Sequence, residues 1–165
     1  MNIFYFDHSP VTSAEAQPDK MLVKMPLETA QMLCSVWHRY GQGMNVPYKE
    51  AHKNHPCTLW AGDTMDNYNW LWLHGMELCF EYTRRYNKIH GAIKHFQALW
   101  EGKKFVPDWK NFITPHPQCF SGHDDLKTKE FFPIEAYRKF YIVDKSRFAR
   151  YNYTTKPQWM TGEVA

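Results

Sequence analysis

At 165 residues, with 44% hydrophobic and 22% charged residues, the chain is sized for one domain with its own core, and a disordered tail is excluded. A net charge of only +3 excludes a uniformly cationic nucleic-acid coat but leaves room for a local basic patch. Aromatic residues reach 17%, enough for a dense core and also for flat faces on which bases stack.

Residues 2–6, NIFYF, are apolar and β-prone but too few for a sheet, so they predict an isolated strand or an extended arm tucked into the core. No basic leader precedes a long apolar run at the N-terminus, and no run of about 18 apolar residues occurs, so neither a signal peptide nor a membrane helix is expected. Ser9 before Pro10 opens a short helix over 11–17, closed by Pro18. Asp19 offers an N-cap to a central helix that runs to Tyr40, where Gly41 takes a left-handed C-cap. On that helix Leu22, Met25, Thr29, Met32, Leu33, Val36 and Trp37 share one side, and Lys24, Glu28, Gln31 and Ser35 another. A helix fixes side-chain directions, so Glu28 is a candidate reactive carboxylate. A Glu–Lys pair one turn apart is also what any amphipathic helix carries on its solvated face. Pro26 removes a backbone donor and predicts a kink or break close to Glu28.

Residues 41–55 read as a loop made locally cationic by Lys49, His52, Lys53 and His55. Pro56 opens a short helical turn through Trp60. Thr64 or Asp66 caps a long helix over 65–87, with Tyr68, Leu71, Trp72, Gly75, Leu78, Cys79, Tyr82 and Tyr86 inward. Glu77, Glu81 and Arg85 run along a neighbouring face, and Arg84 and Arg85 sit in the last turns, where the helix dipole favours cations. His90 to Trp100 is a shorter helix ended by Gly102. Residues 102–132, rich in Pro, Gly and aromatics, form a connection long enough to be functional or to wrap the surface. Pro133 opens a helix with Ile134, Tyr137 and Phe140 or Tyr141 inward, a second helical segment spans 144–151, and the tail from Tyr153 is irregular. The expected fold is mainly α: a single compact helical domain over 1–165 with an irregular N-terminal arm and a long Pro/aromatic loop.

Cys34, Cys57, Cys79 and Cys119 are far apart in sequence and form no C-x-x-C pair, a spacing that favours neither zinc nor a disulfide framework. His52 and His55 have no carboxylate at zinc-site spacing, Gly41-Gln42-Gly43 lacks the Lys-Ser/Thr of a phosphate loop, and no G-x-S-x-G elbow exists. No metal and no cofactor is expected. Candidate phosphate contacts are Lys20, Lys24, Lys49, Lys53, Arg84, Arg85, Arg138, Lys139, Lys145, Arg147 and Arg150, and the run from Arg138 to Tyr151 interleaves them with aromatics.

Several blocks, in one order, resemble the phage pyrimidine-dimer DNA glycosylase/AP lyase family, also called endonuclease V. Glu28 follows Asp19 by nine residues, as that family's essential helix glutamate follows an acid. Lys53-Asn54-His55-Pro56 is similar to a block in bacterial relatives. Glu77-Leu78, Glu81 and Arg84-Arg85 are similar to an E-L-x-x-E-x-x-[KR]-R helix, and Lys156-Pro157-Gln158-Trp159 to a basic-Pro-x-Trp block near the C-terminus. His52–Cys57 and Glu81–Tyr86 also resemble segments of a divergent phage branch.

The resemblance implies a helical protein of the host-cell cytoplasm that grips kinked double-stranded DNA carrying a damaged or modified base. In the family a free N-terminal α-amine attacks the sugar C1′ and forms a Schiff base, and the glutamate supports the imine and the β-elimination that cuts the strand. An α-amine titrates near about 7.7–8.0, so a useful fraction is neutral and nucleophilic at working pH. The family exposes a small residue after Met removal; here Asn2 follows, beside which Met1 is usually kept, so the amine falls to Met1, with Lys24 as a substitute. Lys53, His55, Arg84 and Arg85 would hold phosphates, and Trp60 or Trp159 would stack a base. Leu27 and Gln31 stand where the family has arginines flanking the glutamate, and neither grips phosphate as a guanidinium does. That departure motivates two alternatives: a non-catalytic phage protein of anti-defence type that binds a nucleotide or a host protein, and an enzyme acting on a modified base or a free nucleotide.

Overall fold

In the computed structural model, residues 1–107, 112–128 and 132–161 are described, and they contain seven α-helices and no strand. Residues 2–6 form the buried arm without strand pairing. Within it Phe4 adopts a φ of 56°, a left-handed conformation that a bulky residue holds only when its surroundings fix it. Here the Phe4 ring packs edge-on against Tyr137 and Tyr141, and its carbonyl accepts from Gln17 Nε2 at 3.2 Å.

Helix α1 spans Pro10–Glu15, and Ser9 caps it as expected, its Oγ accepting from the Thr12 N–H. The predicted central helix is two helices, α2 over Asp19–Leu22 and α3 over Met25–Arg39. Pro26 causes the break: it lies in the first turn of α3, where its missing N–H has no intrahelical partner to lose. Asp19 is therefore not the cap of the central helix. It is buried at the start of α2, where its carboxylate accepts from the Asn152 N–H at 2.6 Å and pairs with Arg85 at 3.1 Å. Helix α3 ends at Tyr40, and Gly41 follows with φ 73°.

Helix α4 covers Pro56–Ala61, with the His55 ring accepting from the Cys57 N–H at 3.2 Å. Helix α5, Met65–Tyr86, is the spine. Thr64 caps it, and it packs against α1, α2, α3 and α4. The crossing with α3 is close because Gly75 has no side chain: a Cβ there would stand 2.6 Å from Thr29 Cγ2 and 2.3 Å from the Phe96 ring. The face carrying Glu81 and Arg85 is buried rather than solvated. Arg85 donates to the carbonyls of Glu15 and Gln17, unpaired acceptors at the end of α1, and pairs with Glu81 and Asp19.

Helix α6, Ile93–Leu99, runs into a tighter turn over Trp100–Phe105. Of the long connection over 102–132, residues 108–111 and 129–131 lie outside the described residues, as do 162–165 of the tail. Helix α7, Pro133–Phe140, widens into a π-turn over Tyr141–Lys145 and then leaves helical geometry, so the predicted segment 144–151 is mostly turn. One short 3₁₀ turn, Gln158–Met160, interrupts the tail. No described helix is long and apolar enough to cross a membrane.

Candidate active site

The break at Pro26 sets Glu28 in the first turn of α3, where the helix dipole favours an anion. Its carboxylate meets two primary amines. The Met1 α-amine lies 3.8 Å from Oε2 and Lys24 Nζ lies 3.7 Å from Oε1. Both contacts are longer than a direct hydrogen bond, so they are ion pairs held by charge alone. The Met1 side chain is only 2% exposed while the residue as a whole is half-buried, so its remaining exposure lies on main-chain atoms. Glu28 is 22% exposed and Lys24 52%.

Asn2 is buried and anchors this terminus. Its Oδ1 accepts from its neighbour's N–H on Ile3 at 2.7 Å and lies 2.9 Å from the Tyr137 hydroxyl, while its Nδ2 donates to the Cys119 carbonyl at 2.7 Å. A side chain so fully engaged holds the amine and has no spare group with which to react. Met1 itself is pinned from the side, its Sδ receiving the Thr58 hydroxyl at 3.7 Å.

Amine and carboxylate open onto a cleft of about 400 Å³. Met1, Asn2, Lys24 and Glu28 line one bank; the other comes from the far end of the chain, with Cys119 to Ser121, His123 and the α7 end. Across the cleft, Asp144 pairs with Lys145 at 2.5 Å and His123 at 3.5 Å, and the Lys145 ammonium holds the Asp144 carboxyl below the usual range. The sequence signals for this second bank were the length and Pro/aromatic character of the connection over 102–132 and the basic, aromatic run from Arg138 to Tyr151, which contains Lys145.

Behind the amine lie His55, Cys57 and Cys119. The two sulfurs are 3.6 Å apart, and Cys57 Sγ is 3.8 Å from Asn2 Oδ1. Burial pushes the Cys57 thiol well above its ordinary value, while the hydrogen bond with Cys57 holds that of Cys119 below it. His55 is lowered, first by burial and then by the N-terminal ammonium. His55 does not line the cleft but stands beside Cys57 and Cys119, behind Asn2.

Met1, Asn2, Lys24, Glu28 and His55 are thus brought together, whereas the other candidates stand elsewhere. Arg85 is spent on buried ion pairs, and Trp60 is buried with its indole N–H on the Thr114 carbonyl at 3.0 Å. In this structure neither is presented to a phosphate or a base. Arg84 is exposed but paired with Glu77 and Glu81, and Lys53 pairs with Glu50 at 3.4 Å. Trp159 packs against Phe6 and lines a separate hollow with Arg138.

The family model for pyrimidine dimer DNA glycosylase matches residues 1–94, more than half of the chain. The chain belongs to the pyrimidine dimer DNA glycosylase family. No curated protein and no solved structure matches it. Family membership implies damaged DNA as the substrate. The matched span contains Met1, Lys24, Glu28 and His55, and ends before the second bank of the cleft begins.

Proposed function

We propose that the chain is a DNA glycosylase/AP lyase that acts on a damaged or modified base in double-stranded DNA through an amine Schiff base, with no metal in the chemistry. The observation that carries this reading is the Met1 amine 3.8 Å from Glu28 at the edge of a cleft large enough for a sugar. The neutral amine attacks C1′; the C1′–N bond forms and the bond to the base breaks, the base leaving with a proton. The C1′–O4′ bond then opens, O4′ takes a proton, and the nitrogen, which keeps its remaining hydrogen, becomes a cationic imine. The Glu28 carboxylate stabilises that charge in a partly desolvated site. It then serves as the base for the C2′ proton, and the C3′–O bond breaks by β-elimination. Asn2 acts as a positioning residue, and Lys145, which lines the opposite bank, exchanges its Asp144 partner for a backbone phosphate when DNA binds.

Lys24 Nζ stands as close to Glu28 as the α-amine does, which supports a second reading in which Lys24 is the nucleophile. Borohydride trapping on duplex DNA with an abasic site tests both. A covalent adduct mapped by mass spectrometry to Met1, retained in Lys24→Arg and lost in Glu28→Gln, is the expected result. An adduct on Lys24 moves the nucleophile within the same site. No adduct from a folded protein that still binds the duplex ends the lyase reading and favours a non-catalytic binder.

A further inference from the structure

We infer that Cys57, Cys119 and His55 form a binding site for a thiophilic divalent cation of the zinc class, placed directly behind the amine end of the cleft. Sequence spacing hides this set, because Cys57 and Cys119 are far apart in the chain and join only through the fold. Each of the three residues offers a ligand atom, and all these atoms lie within 4.8 Å of one another. Two thiolates on a tetrahedral zinc, each about 2.3 Å from the metal, stand about 3.8 Å apart. The two sulfurs here are already 3.6 Å apart, so only the imidazole has to close on the ion. The His55 Nδ1 lone pair accepts from the Cys57 N–H at 3.2 Å, so ligation through Nδ1 exchanges that hydrogen bond for the ion.

The charge balance suits a buried site. Two thiols release two protons and become thiolates, which neutralise the divalent charge. Cys119 is half-buried and lines the cleft, so an ion has a way in. Supporting contacts are also in place: the Cys119 N–H donates to the Tyr137 hydroxyl at 3.0 Å and its carbonyl is clamped by Asn2. A filled site displaces the Cys57–Asn2 contact and sets an ion beside the residue that anchors the amine. Resting on the proposed function, this makes the filled form the slower one in abasic-site trapping.

Cobalt(II) added anaerobically to the reduced full-length protein tests the site. The expected result is a near-ultraviolet thiolate-to-cobalt charge-transfer band that saturates at one ion per chain and is bleached by equimolar zinc. Changes to outer-shell partners alone lower metal affinity by about 10–100-fold, so Cys119→Ser, which removes a ligand, should exceed that loss. Cys119→Ser is preferred to changes at fully buried Cys57 because it threatens folding less, and the exposed Lys53→Ala is the control that leaves the band intact. No band, a band that survives Cys119→Ser, or a Cys57–Cys119 disulfide as the only chemistry of the pair overturns the inference. If the band appears and neither form traps DNA, the metal site stands and the lyase reading falls.

Discussion

Glu28 stands between two amines, so at the residue scale the informative substitution keeps its size and removes its charge. Glu28→Gln should leave the thermal midpoint nearly unchanged, since a partly exposed ion pair contributes about 0–1 kcal/mol, while strand cleavage at abasic sites falls by about 10²–10⁴-fold. Gel-resolved cleavage alongside a melting curve separates the two effects. Asn2→Ala is the converse. It leaves the Ile3 N–H and the Cys119 carbonyl without their Asn2 partner, while the Tyr137 hydroxyl keeps Pro117 and Cys119, and each buried polar group so orphaned costs about 1–3 kcal/mol. Denaturant unfolding should therefore show a loss of stability together with a loss of trapping. Glu28 was legible because a helix repeats its faces and Lys24, Glu28, Gln31 and Ser35 fell on one of them. The anchoring role of Asn2 was not, because its partners at Cys119 and Tyr137 are 117 and 135 residues away.

At the scale of elements, α5 is held by one absent side chain and one buried cation. Gly75→Ala places a methyl carbon 2.6 Å from Thr29 Cγ2 on α3, and overpacking of this kind destabilises by about 1–3 kcal/mol. A lowered midpoint in chemical denaturation checks it; a midpoint equal to or above that of the parent would mean that the two helices part easily. Arg85→Met removes the cation from Asp19 and Glu81, and an uncompensated buried charge costs about 3–5 kcal/mol. Arg84→Ala, one residue away, should move stability by no more than about 1 kcal/mol because Arg84 is half exposed. The sequence marked this helix and its arginines but assigned both to DNA. Periodicity placed Glu81 and Arg85 on a face beside the apolar one, and only the packing of α1 and α2 buries that face, whereas Arg84, turned about 100° away, stays exposed.

For the whole molecule, the buried imidazoles set the response to acid. His74 and His116 are fully enclosed, and burial pushes their protonation down to about 4 and about 3, from 6.5. The unfolded chain therefore takes up protons first as pH falls below about 6.5, and the folded state loses stability until the lower values are reached. Each ring contributes a slope of about 1.4 kcal/mol per pH unit within that window. Melting temperatures should fall steeply on the acid side of 6.5, and His116→Phe, which keeps the stack on Tyr5, should flatten the slope. An unchanged slope in that variant would show that other groups govern the transition. The helical architecture was readable because Pro, Thr and Gly punctuate it at Pro10, Pro56, Thr64, Gly41 and Pro133. The loop part of the second bank was not, because residues 112–128 carry no period from which a direction could be inferred.

That second bank starts beyond residue 94, whereas the amine and its carboxylate lie within the first twenty-eight residues. Reagent and template are therefore encoded apart. Under the proposed function, a library confined to Phe120, Ser121 and His123 would sample new lesions without touching the bond-breaking pair. Swapping the N-terminal third between relatives would do the reverse, transplanting reactivity while leaving lesion choice in place.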